Sequence, residues 1–128
     1  MIKYVFVIED GDYLYDSIHQ RLVEFKKDGS VVIGNIPNTG VCVAFPISLN
    51  EDVLEAIGFK SNGNAQYVNG DYVINIDCTN PYSILQFEGK PVLFVSDIQN
   101  ECRKKGYPLD IDKNSLIQSC NRSKTASN

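Results

Sequence analysis

Four carboxylates crowd the first turn of the chain, where Glu9, Asp10, Asp12 and Asp16 surround Gly11. Acids this dense can bind Ca²⁺ or Mg²⁺, or divide the work of a general acid and a general base. Their spacing is not that of an EF-hand loop, however, and Asp-Gly-Asp is ordinary turn composition. The run therefore reads first as a solvated turn. A metal-dependent hydrolase using Glu9, Asp10 or Asp12 is the lesser alternative. The single histidine, His19, has the chemistry of a general base, but no Ser, Cys or Asp stands around it in a recognisable triad motif. It reads as a surface or satisfied, partly buried side chain.

Cys42, Cys78, Cys102 and Cys120 are far apart and form no Cys-x-x-Cys pair, so reduced thiols are expected. Cys42 in an apolar strand and Cys102 on the inner face of a helix read as core residues. Cys78 in a loop and Cys120 near the end are the two expected to meet a thiol reagent first. Zinc finds no ligand set, because His19 lies close to no cysteine. The turn-forming run Asn35-Ile36-Pro37-Asn38-Thr39-Gly40 lacks the Gly-Lys-Ser/Thr ending of a phosphate loop and reads as a structural connection. No catalytic residue, metal or cofactor is expected.

Two groups fit binding better than catalysis. Tyr67, Tyr72, Tyr82 and Tyr107 would form a partner surface if exposed together, since tyrosine supplies rigid amphipathic contact area. Core rim is the ordinary reading of the same residues. Arg103, Lys104 and Lys105 crowd the end of a helix, where the dipole favours cations; helix capping comes first and an anion site second.

The elements that would position these residues are marked by caps and turns. Asn50 caps a helix over 50–57 with Glu51 and Asp52 in its first turn, Leu49 and Leu54 at staple spacing, and Gly58 as its stop. A second helix is predicted from Ser96, in capping-box spacing with Gln99, to Gly106-Tyr107-Pro108. Ile98 and Cys102 share its inner face.

Strands fill the gaps. Asn69-Gly70 predicts a tight hairpin between 66–68 and 72–76, and Asp28-Gly29 plays a similar role between 22–25 and 31–33. Val41, Val43 and Phe45 alternate in a further strand ending at Pro46. Runs 84–87 and 92–95 flank Glu88-Gly89-Lys90-Pro91 as a third hairpin. Residues 13–21 fit either a helical stripe or a strand followed by a turn, and the second is preferred.

The chain of 128 residues is 43% hydrophobic and 22% charged, an ordinary globular composition of single-domain length. No apolar run approaches the ~20 residues needed to cross a bilayer. The formal net charge is −4, and beyond Asp112 the chain carries Lys113, Arg122 and Lys124 with no acid, so the acidity belongs to residues 1–112. Such a body repels phosphate backbones and argues against nucleic-acid binding by the fold. Residues 1–112 read as one globular domain and 113–128 as a polar, weakly basic tail. In that tail Leu116 and Ile117 can dock one helical turn, with disorder or partner-induced order beyond Ser119.

Residues 46–112 carry three blocks in order: Ile47 to Lys60 with its two acids, apolar helix and Gly58-Phe59; the tyrosine-rich hairpin Tyr67 to Ile76; and Val92 to Asn100 followed by Gly106 to Ile111. This order resembles a group of small proteins of Bacteroidetes phages and prophages. The resemblance implies no activity; it implies a phage or prophage gene expressed in a bacterial cytoplasm.

The expected fold is α+β, mainly antiparallel hairpins with two short capped helices packed on the sheet. The expected role is that of a non-enzymatic accessory or interaction protein, cytoplasmic in a bacterial host or part of a virion. Its partner would be a phage structural protein, a host protein or a second copy, with neither membrane nor nucleic acid involved. A small-ligand-binding or sequestering protein is the other class kept open.

Overall fold

Among the described residues, short runs of β-branched and aromatic residues, broken at glycine, asparagine and aspartate, give two antiparallel sheets, and three helices accompany them. A computed structural model describes residues 6–27, 31–33, 36–38, 44–77 and 84–126. The first sheet holds β1 (Tyr13–Asp16), β2 (Arg21–Phe25), β3 (Val31–Ile33), β4 (Ile36–Asn38) and β5 (Phe45–Pro46), in the order β4-β3-β2-β1-β5. The second is a meander of β6 (Lys60–Ser61), β7 (Gln66–Asn69), β8 (Tyr72–Asp77), β9 (Ile84–Phe87) and β10 (Lys90–Val92). Three helices complete the fold: α1 (Glu51–Ala56), α2 (Val95–Lys104) and α3 (Lys113–Ala126). The class is α+β, as expected.

The ambiguous stretch 13–21 is a strand and a turn. Asp16 closes β1 opposite Arg21, and its Oδ1 accepts the N–H groups of Ile18 and His19 at 3.1 and 3.3 Å. An aspartate that satisfies the backbone two and three residues on favours a turn over a continued helix. Ile36-Pro37-Asn38, read as a connection, adds edge strand β4 to β3. Proline is tolerated there because an edge strand need not donate on its outer side. The Asp28-Gly29 turn, Val41, Cys42 and Val43 lie outside the described residues.

Both short helices end alike. In α1 the Asn50 side chain accepts the Val53 N–H at 2.9 Å. At its other end Gly58 (φ 98°) donates to the Glu55 carbonyl and Phe59 to the Leu54 carbonyl. This is a Schellman motif, and the turn brings Phe59 back into the core beside Leu54.

α2 starts earlier than predicted. Val95 is its first residue, and the 92–95 run gives only Val92 to β10. Asp97, not Ser96, caps the helix: its Oδ2 accepts the N–H groups of Leu93 and Phe94, each at 2.9 Å. Ser96 is fully buried, and its hydroxyl has no hydrogen-bond partner among the described residues. Asp97 satisfies two donors where serine offered one, which decides the boundary.

The hairpin turn also moves by one residue. Asn69 pairs with Tyr72, so the two central residues are Gly70 and Asp71, with Gly70 (φ 58°) in the first position as a type II′ turn requires. In the next hairpin Phe87 pairs with Lys90, and Glu88 and Gly89 both take positive φ, the type I′ arrangement.

The largest departure is the tail. Asp112 accepts the N–H groups of Asn114 and Ser115 at 3.0 and 3.4 Å and so starts α3, which continues past Ser119 to Ala126. Leu116 and Ser119 have no exposure, Cys120 is buried, and the Tyr15 hydroxyl donates to the Asn121 side-chain oxygen. α3 packs against α1 and β2. The residues pointing inward are few and small, so the stripe is faint in the sequence. Among the described residues no helix is long and apolar enough to cross a membrane.

One core joins these parts. Tyr15 and Leu22 come from the first sheet, Ile74, Phe87 and Val92 from the second, and Val53, Leu54, Ile98 and Leu116 from the helices. Between the sheets, Leu49 donates to the Leu93 carbonyl and Val95 to that of Ile47, both at 2.9 Å. Gly58→Val should cost at least ~1 kcal/mol, because a β-branched residue fits positive φ poorly and its Cβ would meet Asn69 Nδ2 at 2.8 Å. An unchanged urea midpoint would refute this helix end. Leu116→Ala should cost about 2–5 kcal/mol by the same measurement, whereas a peripheral tail would lose almost nothing.

Candidate functional site

α2 ends in the second Schellman motif. Gly106 (φ 85°) donates to the Arg103 carbonyl at 3.0 Å and Tyr107 to the Cys102 carbonyl at 3.2 Å, and Pro108 bars any further helix. The chain then runs without regular structure from 107 to 112, until Asp112 opens α3. Facing this run are the turns of the β7–β8 and β9–β10 hairpins. A groove of 870 Å³ is lined by both sides, with Tyr72, Tyr107, Pro108 and Leu109 as its apolar part and Asp71, Glu88 and Asp110 as carboxylates.

The groove is held in shape from beneath. The Tyr72 hydroxyl donates to the Tyr107 carbonyl at 2.8 Å, and its ring packs on Phe87 with centroids 5.6 Å apart. Burial pushes the Tyr72 hydroxyl above the ordinary phenol range, and Cys102 beside it adds to the rise. Burial likewise pushes the Cys102 thiol up to about 11. Both groups stay protonated at neutral pH and serve as fixed hydrogen-bonding partners. Tyr107 itself is 75% exposed.

Of the four tyrosines picked out from the sequence, Tyr72 and Tyr107 meet at this groove. Tyr67 packs partly buried against the core and is not among the lining residues, and Tyr82 lies outside the described residues. The basic triplet diverges. Arg103 Nη1 bonds Asp12 Oδ1 and Asn100 Oδ1, each at 2.7 Å; Lys104 faces Glu101 at 3.7 Å; Lys105 pairs with Glu88 on the groove wall. One turn of helix points three neighbouring side chains in three directions.

The acidic turn is only partly solvated. Asp12 and Asp16 have no exposure. Burial pushes the Asp12 carboxyl up, against the Glu9 N–H and Arg103, which stabilise its charge. Burial also acts to raise Asp16, but hydrogen bonds from His19 and Arg21 outweigh it and hold the carboxyl at about 2. Asp16 Oδ2 lies 2.7 Å from His19 Nδ1 and 3.1 Å from Arg21 Nε, while Asp10 accepts the Lys27 N–H. These three acids are thus committed to separate partners. Among the described residues no group of three His, Cys, Asp or Glu side chains is placed to hold a metal ion.

Cys102 is buried as expected, but so is Cys120, which α3 carries inward; burial pushes its thiol up to about 11. Slow reaction with thiol reagents is the consequence. Cys78 lies outside the described residues.

No family model, curated protein or solved structure matches the chain. The groove was not legible in the sequence, since its walls come from separate segments around Gly58, Asn69 to Tyr72, Glu88 and Lys105 to Asp110. The one local signal was Gly106-Tyr107-Pro108, which leaves an aromatic exposed just where a helix stops.

Asp16 has a folded pKa below its ordinary value of 3.8, so its ionised form favours the native state. That contribution is complete above about pH 4 and is lost as pH falls through about 2. Asp16→Asn should therefore be less stable than the wild type at neutral pH, with the gap closing as pH falls from about 5 to about 2. Urea midpoints across that range measure it, and a constant gap would contradict the assignment.

Proposed function

We propose that the protein is a non-catalytic accessory protein that binds a protein partner through the Tyr72–Tyr107 groove. One observation carries this reading: Tyr107 is 75% exposed yet fixed, its N–H bonded to Cys102 and its carbonyl to the Tyr72 hydroxyl. An exposed aromatic that has already lost its backbone freedom gives contact area at low entropic cost, the property that enriches tyrosine in interface centres. The resemblance of residues 46–112 to Bacteroidetes phage proteins supports a phage or prophage origin, with a partner in the host cytoplasm or the virion. The hydrolase reading, built on Glu9, Asp10 or Asp12, draws no support from Asp10, which accepts the Lys27 N–H, or from Asp12, which is held by the Glu9 N–H and Arg103.

A small-ligand reading has one specific observation behind it. The groove volume of 870 Å³ falls within the ~300–1,000 Å³ typical of ligand pockets.

Native mass spectrometry of the wild type and of Tyr107→Ser, before and after incubation with bacterial lysate, separates the two readings. The interaction reading expects a captured protein that Tyr107→Ser loses while its melting temperature is unchanged. The same captured species on both proteins would refute the groove as the interface. A small added mass on the wild type alone would favour the ligand.

A further inference from the structure

The charges around the groove do not balance. Asp71, Glu88 and Asp110 line it against one cation, Lys105, and that cation is already paired with Glu88. Asp71 on the hairpin turn and Asp110 on the segment after α2 make no ion pair among the described residues. The apolar wall of Tyr107, Pro108 and Leu109 lies in the same groove. Leu109, Asp110 and Ile111 make no backbone hydrogen bond among the described residues, so this stretch presents unpaired N–H and C=O groups.

Resting on the interaction reading, we propose that the occupant is an extended peptide segment of a partner protein bearing Lys or Arg. Its cationic side chains face Asp71 and Asp110, an aliphatic or aromatic residue covers Tyr107 and Leu109, and its backbone pairs with the main chain of Leu109 and Asp110. Charge complementarity selects a basic segment, since an acidic one would meet two uncompensated carboxylates. The unpaired main chain selects a peptide over a free amine, because only a peptide offers matching donors and acceptors.

The probe is a set of acetylated, amidated and fluorescently labelled heptapeptides in a Leu/Tyr/Ser background, with Arg, Lys, Glu or Ser walked through each position. Fluorescence anisotropy on the full chain should show binding of Arg and Lys peptides, weakening as salt is raised. Asp71→Asn with Asp110→Asn should weaken that binding about fivefold without changing the melting temperature, because both side chains are exposed. Asp71→Lys with Asp110→Lys should transfer the preference to Glu peptides.

Equal binding of Glu and Arg peptides, or no effect of the Asn pair, would overturn the proposal. So would spermidine competing at the same concentration as the peptides, which would make the groove a site for free amines. If no basic peptide binds while Tyr107→Ser still loses a captured protein, the basic-peptide assignment falls and the interaction reading stands. If neither effect is seen, both fall.

Discussion

The carboxylate of Asp12 sits where solvent does not reach it, and such a charge survives only with partners on both oxygens. Arg103 meets Oδ1 and the Glu9 N–H meets Oδ2, at 2.7 and 2.8 Å. Arg103 belongs to α2, and the same helix extends two further grips toward the first strand. Gln99 accepts the Tyr13 N–H at 2.9 Å, and Asn100 donates to the Val7 carbonyl at 3.0 Å. The polar face of one helix thus takes over backbone and charge that the start of the first sheet leaves unsatisfied. A buried pair of this kind adds little net stability over an apolar one, but a half-made pair is strongly unfavourable. The constraint therefore selects one docking of the first sheet on α2 over nearby alternatives.

That constraint reaches the groove. Val95, Ile98 and Cys102 lock the opposite face of α2 into the core, while Arg103 fixes its rotation from the other side. With the helix held from two directions, its Schellman end delivers Lys105 and Tyr107 to one place. Tyr72 then ties the second sheet to that end through the Tyr107 carbonyl. The groove is the gap left where a helix end, an irregular run and two tight hairpin turns meet.

Local chemistry was legible wherever a short segment satisfied itself. The N-cap Asn50, the stops at Gly58 and Gly106-Tyr107-Pro108, the 13–21 strand and turn, and the antiparallel α+β class all followed from neighbours in sequence. Two boundaries fell elsewhere. Ser96 with Gln99 has the spacing of a cap, but it is Asp97 that reaches two backbone donors. Asn69-Gly70 predicts the turn one residue early, because the strand register pairs Asn69 with Tyr72. α3 is faint in the sequence because, among the described residues, only Leu116, Ser119 and Cys120 reach full or near burial there, a stripe too short and too polar to stand out.

By itself, then, the sequence determined the parts: capped helices, hairpins and an acidic body. These depend on φ preferences, capping bonds and periodicity, all of which act within a few residues. Tertiary structure alone decided which charges are buried, which tyrosines meet and which thiols are shielded. Asp12 and Arg103 are 91 residues apart and Tyr72 and Tyr107 are 35 apart. Contacts over such separations depend on how whole elements stack, and composition or spacing at either end carries no record of the other.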